Sequence, residues 1–257
     1  MKKGKHRISI KTGKLRLGEE KPVKEKGYEE RVSTGIPGLD EVMSGGFEKN
    51  SINMVSGGAG TGKSIFAMQF LVDGIQKFNE PGIFITFEEE KEKICKHMLK
   101  MGWDLKKLES ENKLMIVEYS PDKVKKMLAE GGGEVEWVIG KIKAKRMVID
   151  SLTAFSLLFK DELTRRQALL DLFRIIERWD CTALLVVEHE SEVERHDSMD
   201  VEFEVDGIIL LYYLRKGDVR NRALEILKLR GSKHASRIFP MKITDEGVKI
   251  YPEEAVF

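Results

Sequence analysis

One segment, residues 57–64, constrains this chain most, because it reads Gly-Gly-Ala-Gly-Thr-Gly-Lys-Ser. Mostly apolar runs stand before it at residues 52–56 and after it at residues 65–71, so the pattern predicts a strand, a glycine loop and a helix. The spacing Gly-x4-Gly-Lys-Ser is that of a P-loop, in which glycines let successive backbone N–H groups turn toward phosphate oxygens. The positive end of the following helix points at the same anion. An ordinary glycine turn is the simpler alternative, but it does not require the flanking strand and helix.

A P-loop binds the phosphates of a nucleotide, here ATP or ADP, and two of its side chains have separate tasks. Lys63 is expected to reach the β- and γ-phosphates, and the hydroxyl of Ser64 is expected to bind Mg²⁺. The predicted nucleotide-binding residues of this segment are Gly57, Gly58, Ala59, Gly60, Thr61, Gly62, Lys63, Ser64 and Ile65.

Length and composition limit the classes of protein that remain. The 257 residues suffice for one large α/β domain, or for one domain with an appendage. A formal net charge of +1 argues against a globally basic nucleic-acid surface, although local patches remain possible. No run approaches the roughly 18 apolar residues of a membrane span, and no apolar secretory core follows the basic N-terminus. Cys95 and Cys181 are predicted to be free, buried thiols, which is typical of a reducing compartment. We therefore expect a cytoplasmic protein, and the lack of a long apolar run predicts no membrane contact.

The domain organisation follows from the charge distribution. Residues 1–27 contain ten Lys or Arg against three Glu, so residues 1–30 are predicted to form a basic N-terminal extension. A loosely ordered tail is the simpler interpretation, and a basic arm for a polyanion or a neighbouring subunit is the alternative. Residues 31–257 are predicted to form the folded domain.

The predicted fold class is α/β, with a mostly parallel twisted sheet flanked by helices. Strand-like and helix-like segments alternate through the first two thirds of the domain, which is typical of parallel sheets. A long amphipathic helix is predicted over residues 163–180. Three later runs, at residues 207–214, 223–229 and 239–243, have no long helices between them and are predicted to be antiparallel strands on the C-terminal side.

Acidic residues follow three of the predicted strands. In an open parallel sheet the ligand lies across the carboxyl ends of the strands. Asp150 therefore fits a Walker B aspartate that holds Mg²⁺, with a helix-capping role as the alternative. Glu88 and Glu89 could orient or deprotonate an attacking water, or could merely begin a solvated helix. A third pair, Glu188 and His189, ends another strand, where a lone His is more often a structural residue.

Six segments together carry a family resemblance, and they follow one another from about residue 32 onward: residues 34–40, 57–64, 85–89, 102–105, 148–151 and 226–231. Through these segments the chain resembles the KaiC-like branch of the RecA-type ATPases. The resemblance implies a RecA-like fold, ATP hydrolysis and a homo-oligomer, in the form of a hexameric ring with ATP between neighbours. This chain resembles a single-domain archaeal-type member, because KaiC carries two tandem copies and this chain carries one.

The resemblance also implies roles for individual residues. By this resemblance, Glu88 and Glu89 correspond to the paired glutamates that act as the catalytic acids of the family. Lys228 and Arg230 become a pair that supplies positive charge to the γ-phosphate of a neighbouring subunit, which is the task of an arginine finger. His234 and Asp245 stand where the family contacts the neighbour's nucleotide at its sugar and base.

Two departures from the family limit what carries over. A single copy with a basic extension does not imply clock function. Glu202 and Phe203 stand where the autophosphorylating copy carries adjacent Ser and Thr, so self-phosphorylation is not expected there.

Two rival functions stay open: a nucleotide-gated binding module with little hydrolysis, and a DNA-acting recombinase paralogue. The basic tail favours the second rival. The lack of a basic, aromatic-rich loop after Asp150 argues against nucleic acid as the partner. The sequence does not specify a protein partner.

Overall fold

The computed structural model describes residues 30–188 and 200–256. Residues 1–29, which make up nearly all of the predicted extension, and His189 lie outside this described part. Within it, the chain forms one nine-stranded sheet covered by helices on both faces, together with a separate two-stranded ribbon.

The strands in chain order are β1 (Arg31–Val32), β2 (Phe47–Glu48), β3 (Ile52–Gly57), β4 (Gly82–Thr86), β5 (Leu114–Glu118), β6 (Arg146–Asp150), β7 (Thr182–Glu188), β8 (Gly207–Lys216), β9 (Val219–Leu229), β10 (Ile238–Thr244) and β11 (Gly247–Ile250). The helices are α1 (Leu39–Val42), α2 (Lys63–Phe78), α3 (Lys91–Leu99), α4 (Leu105–Ser110), α5 (Pro121–Glu130), α6 (Gly133–Ile142), α7 (Leu152–Leu157) and α8 (Glu162–Glu177), and a 3-10 turn covers Asp200–Phe203. None of the helices in the described ranges is long and apolar enough to cross a membrane.

The strand order of the large sheet is β11-β10-β9-β8-β3-β7-β6-β4-β5. The strands from β8 to β5 in this order all run parallel, while β9 is antiparallel to β8 and the remaining pairs alternate in direction. The predicted fold class is therefore confirmed: a mostly parallel sheet with flanking helices, and antiparallel strands on the C-terminal side.

The core lies on both faces of this sheet. Strands β3, β4 and β7 are buried over nearly their whole length, as expected for strands covered by helices on both sides. On one face α2 contributes the fully buried Phe66 and Phe70, and on the other face α8 contributes Leu172 and Phe173. These two layers hold the strands rigidly and fix the positions of the residues at the strand ends.

The register defines two edges of the sheet. Gly57 pairs with Glu188 of β7 and Leu211 of β8, at the carboxyl ends of the parallel strands, and we call this side the P-loop edge. Gly207, where β8 begins, pairs with Leu229, where β9 ends, and we call that side the far edge. Because β9 is antiparallel to β8, its last residues lie at the far edge.

Several boundaries differ from the sequence-based expectations. The helix predicted over residues 163–180 is α8, which ends at Glu177, and the side chain of Arg178 donates to the carbonyl of Gly131 (2.6 Å) as the chain turns toward β7. The hairpin of β8 and β9 extends to Lys216 and Val219 because exposed polar residues pair there beyond the core. No apolar pattern marks such residues, so the sequence gives no signal for them.

Arg146 is the largest polar side chain buried in this fold, with 1% of its surface exposed. Its Nε and Nη2 contact the carboxylate of Glu80 (2.6 Å each), and its Nη1 donates to the carbonyl of Phe70 (2.9 Å). The side chain lies against α2 at Gly74, where an added Cβ would stand 2.3 Å from Nε. Burial lowers the pKa of Arg146, and the Glu80 carboxylate raises it. The Glu80 carboxylate and the Phe70 carbonyl thus supply the buried guanidinium with a counter-charge and with hydrogen bonds in place of water.

We expect Glu80→Gln to lower the free energy of unfolding by about 2 kcal/mol, because it leaves the buried guanidinium without its counter-charge. The cost stays below that of a wholly buried pair because Glu80 is partly exposed. Thermal unfolding should show a melting temperature lower by about 6 °C. Asp171→Asn removes the partner of the exposed Arg174 and should leave the melting temperature unchanged. Equal melting temperatures for both variants would contradict this account of Arg146.

Candidate active site

The glycine loop joins β3 to α2 at the P-loop edge. A Cβ added to Gly57 would stand 2.5 Å from the carbonyl oxygen of Leu211 and 2.9 Å from Oγ1 of Thr61, so only glycine fits there. Gly60 and Gly62 have φ angles of 75° and 105°, which glycine adopts without steric cost. Among the described residues, nothing lies within 4 Å of a Cβ built on Gly60, so no described group covers the tip of the loop.

Lys63 lies inside this loop with 8% of its surface exposed. Its Nζ donates to the carbonyl of Gly58 (3.0 Å), and Oγ1 of Thr61 donates to the same carbonyl (2.9 Å). Burial lowers the pKa of Lys63, while the charges of Glu188 and Asp150 raise it. A buried ammonium group within a glycine loop is suited to bind the phosphates of a nucleotide.

Asp150 and Ser64 meet at the same edge. Burial raises the pKa of Asp150 to about 6, although the hydrogen bond from Ser64 and the charge of Lys63 act in the opposite direction. A carboxylate and a hydroxyl provide the oxygen ligands that Mg²⁺ prefers. The structure thus brings the two predicted Mg²⁺ ligands into contact, and their chemistry fits that ion.

The paired glutamates follow β4 and lie on the same side of the sheet. Glu88 is exposed, whereas Glu89 is half-buried and its charge helps to raise the pKa of Asp150. Oε1 of Glu89 lies 3.5 Å from Nζ of Lys93 and 3.4 Å from Nδ1 of His97, both on α3. The acidic pair is therefore near the Mg²⁺ ligands, with one member tied to a neighbouring helix.

Lys228 and Arg230 lie at the far edge, away from this cluster. Leu224 of β9 is level with Gly57 through Leu211. Lys228 comes four positions after Leu224 and Arg230 six, which corresponds to spans of about 13 Å and about 20 Å. The structure therefore does not bring Lys228 and Arg230 to the P-loop of their own chain.

Both basic side chains hold the 3-10 turn before β8. Nζ of Lys228 donates to the carbonyl of Glu202 (2.9 Å), and Nη2 of Arg230 donates to that of Phe203 (2.5 Å). Nη1 of Arg230 also lies 3.1 Å from Oδ1 of Asp206. Burial lowers the pKa of Lys228, with Arg230 acting in the same direction. The two cations are thus fixed in place side by side.

His234 and Asp245 lie at opposite ends of β10. His234 is in the loop that leaves β9 at the far edge and leads into β10, whereas Asp245 follows β10 at the P-loop edge. Asp245 comes two residues after Ile243, whose Cδ1 lies 2.6 Å from where a Cβ of Gly62 would stand. The direction of β10 thus places Asp245 near the P-loop of its own chain, and the contact of both residues with a neighbour's nucleotide stays a prediction.

Two further residues at the P-loop edge were given no role from the sequence. Arg222 of β9 donates through Nε to the carbonyl of Gly60 (3.1 Å), and its guanidinium lies 4.7 Å from the ring centroid of Tyr213. Glu188 pairs with Gly57, and its N–H donates to Oγ1 of Thr153 (2.8 Å). A strand-end acid such as Glu188 is visible in the sequence, but only the register of the hairpin places Arg222 at the loop.

A side chain added at Gly57 should displace the glycine loop and weaken nucleotide binding. We expect Gly57→Ala to raise the Kd for a fluorescent ATP analogue about tenfold, because the added Cβ pushes the loop away from β8. Gly140→Ala is a matched control, since a Cβ there meets no described residue within 4 Å, and it should leave the Kd unchanged. An unaltered Kd for both variants would place nucleotide binding elsewhere.

A P-loop after the central β3, with an acid at the end of a nearby parallel strand, defines the class: a P-loop ATPase fold of the RecA type. The family model described as the KaiC ATPase matches residues 32–255. The chain belongs to the KaiC-like family of ATPases, which confirms the resemblance seen in the sequence.

Individual relatives agree with this assignment. The circadian clock oscillator protein KaiC of Synechococcus elongatus is 36% identical over 233 residues, which cover 86% of this chain and 44% of the relative. The UPF0273 protein MJ1359 of Methanocaldococcus jannaschii is 36% identical over 239 residues, which cover 88% of this chain and 98% of the relative. A crystal structure of the KaiC-like protein PH0186 from Pyrococcus horikoshii OT3 matches with a TM-score of 0.79 at 34% identity, covering 88% of this chain and all of that one. The chain thus spans about half the length of the KaiC relatives it matches.

Proposed function

We propose that this protein hydrolyses ATP to ADP and phosphate at a Mg²⁺-dependent site that a neighbouring copy completes in a ring of about six subunits. The observation that carries the proposal is the position of Lys228 and Arg230. They are held toward the far edge, about 13 Å (Lys228) and about 20 Å (Arg230) along β9 from the level of the P-loop of the same chain, and we infer that they act on a nucleotide in another copy.

Within one chain, the P-loop amides and Lys63 would bind the triphosphate. Ser64 and Asp150 would hold Mg²⁺, which when bound neutralises phosphate charge. Glu88 or Glu89 would orient a water molecule and accept its proton as the water oxygen bonds to the γ-phosphorus and the bond to the bridging oxygen breaks.

The neighbouring chain would supply the remaining charge. Lys228 and Arg230 would neutralise the negative charge that develops during phosphoryl transfer, which is worth most in a site shielded from water. Because the P-loop and the pair Lys228 and Arg230 lie on different sides of one chain, a contact that joins them is head-to-tail, and head-to-tail contacts close into a ring where the rotation between copies allows it.

The rate of ATP hydrolysis per chain, measured together with oligomer size over a dilution series, tests this proposal. The rate should fall as the ring dissociates, because each monomer holds only half of a site. Light scattering would give the size at each concentration. Full activity in a monomer would exclude the contribution of the neighbour.

A second candidate function is a nucleotide-gated assembly module with little hydrolysis. The position of the Glu89 carboxylate favours it, because contacts with Nζ of Lys93 and Nδ1 of His97 hold that group at α3 and leave it less free to orient a water molecule. Replacement of both glutamates by Gln separates the two functions.

A further inference from the structure

We propose that Asp206 is a positioning residue that sets the guanidinium of Arg230 for the nucleotide of the neighbouring chain. This inference rests on the proposed function, and it assigns a task to a residue outside the P-loop cluster. Asp206 lies at the far edge, directly before β8.

Asp206 is tied to the ends of three strands. Its Oδ2 accepts from the N–H of Ile52 (3.0 Å), and its own N–H donates to the carbonyl of Ile52 (2.7 Å) at the start of β3. Its carbonyl accepts from the N–H of Arg230 (2.8 Å), directly after β9. These backbone hydrogen bonds leave the carboxylate little freedom to move.

The fixed carboxylate in turn holds the side chain of Arg230. Oδ1 of Asp206 contacts Nη1 of Arg230 (3.1 Å), and the carbonyl of Phe203 accepts from Nη2 (2.5 Å). A guanidinium group has five N–H donors in one plane, so two contacts orient the plane and leave three donors for another acceptor. Half of the Arg230 side chain is exposed. The arginine is therefore oriented and still able to bind an oxygen of a phosphate.

The alternative is an ordinary surface ion pair with only a small effect on stability. The two interpretations differ in what Asp206 does when Arg230 is absent. A positioning residue acts on turnover through Arg230 alone. A structural residue affects the fold to the same degree with or without Arg230.

A double-mutant cycle on the assembled protein measures this difference. We expect Asp206→Asn, which keeps the shape and loses the charge, to lower kcat about tenfold and to change the KM for ATP less than twofold. In an Arg230→Gln background, the same replacement should leave kcat unchanged. Asp171→Asn is the matched control, because this aspartate also pairs with an arginine, Arg174 on α8, and its kcat should equal that of the parent.

Asp206→Glu keeps the charge and tests whether position as well as charge matters. It should keep more turnover than Asp206→Asn, while ring size and melting temperature are recorded for every variant. Equal losses in the parent and in the Arg230→Gln background would overturn the inference, and so would a normal kcat for Asp206→Asn. Normal turnover in Arg230→Gln alone would instead refute the proposed role of the neighbouring chain. If Asp206→Asn does not assemble, the same cycle with Asp206→Glu decides: a reduced kcat that is independent of Arg230 contradicts the proposal.

Discussion

Arg230→Gln is expected to lower the turnover of ATP by about 10³, while the Kd for ATP stays within a few-fold of the parent value. The residue lies at the far edge, so its removal leaves the P-loop of its own chain intact. What is lost is positive charge at the neighbour's γ-phosphate, and that charge matters most in the transition state. Steady-state phosphate release gives the turnover, and a nucleotide titration gives the Kd.

Arg174→Gln is the matched control for this prediction. Arg174 is an exposed arginine on α8 that also pairs with an aspartate, Asp171. Its replacement should change neither turnover nor binding. An Arg230→Gln variant with parental turnover would contradict the role given to the far edge.

The combined replacement of Glu88 and Glu89 by Gln is expected to lower turnover by about 10³. Glutamine keeps the size of each side chain but cannot accept a proton from water at neutral pH. ATP binding should persist, because the glycine loop and Lys63 are untouched. Single-turnover phosphate release from prebound ATP measures the chemical step directly.

Glu90→Gln is the control for the double replacement, since Glu90 is the exposed third member of the same acidic run. Its phosphate release should equal that of the parent. Unchanged release in the double variant would show that neither glutamate acts in hydrolysis, and would favour the nucleotide-gated assembly module. The single variants then show whether Glu88, or Glu89 with its contacts to α3, carries the larger effect.

The sequence predicted the fold class because its signals are local. Glycine spacing at residues 57–64 and the buried strands around it reflect backbone sterics and burial, which act within a few residues. For the same reason the strand-end acid Asp150 could be placed at the carboxyl edge of the sheet before the structure was known.

Other features of the candidate site depend on the pairing of distant strands. Arg222 reaches Gly60 only because the exposed hairpin of β8 and β9 extends past the core. His234 and Asp245 are close in sequence, but β10 runs between them, so they lie at its opposite ends. The tie between Asp206 and Arg230 likewise follows from the register of β9 on β8. Single-sequence patterns do not encode register, because it is set by long-range packing.

Subunit mixing tests the shared site most directly. Lys63→Ala disables the P-loop and keeps Arg230, whereas Arg230→Gln keeps the P-loop and disables the far edge. Each variant alone should hydrolyse ATP far more slowly than the parent. After dissociation and reassembly in equal amounts, random rings should regain about a quarter of the parental rate, because that share of the interfaces combines an intact P-loop with an intact Arg230. A mixture no faster than its two components, in rings shown to contain both chains, would contradict a site completed by the neighbour.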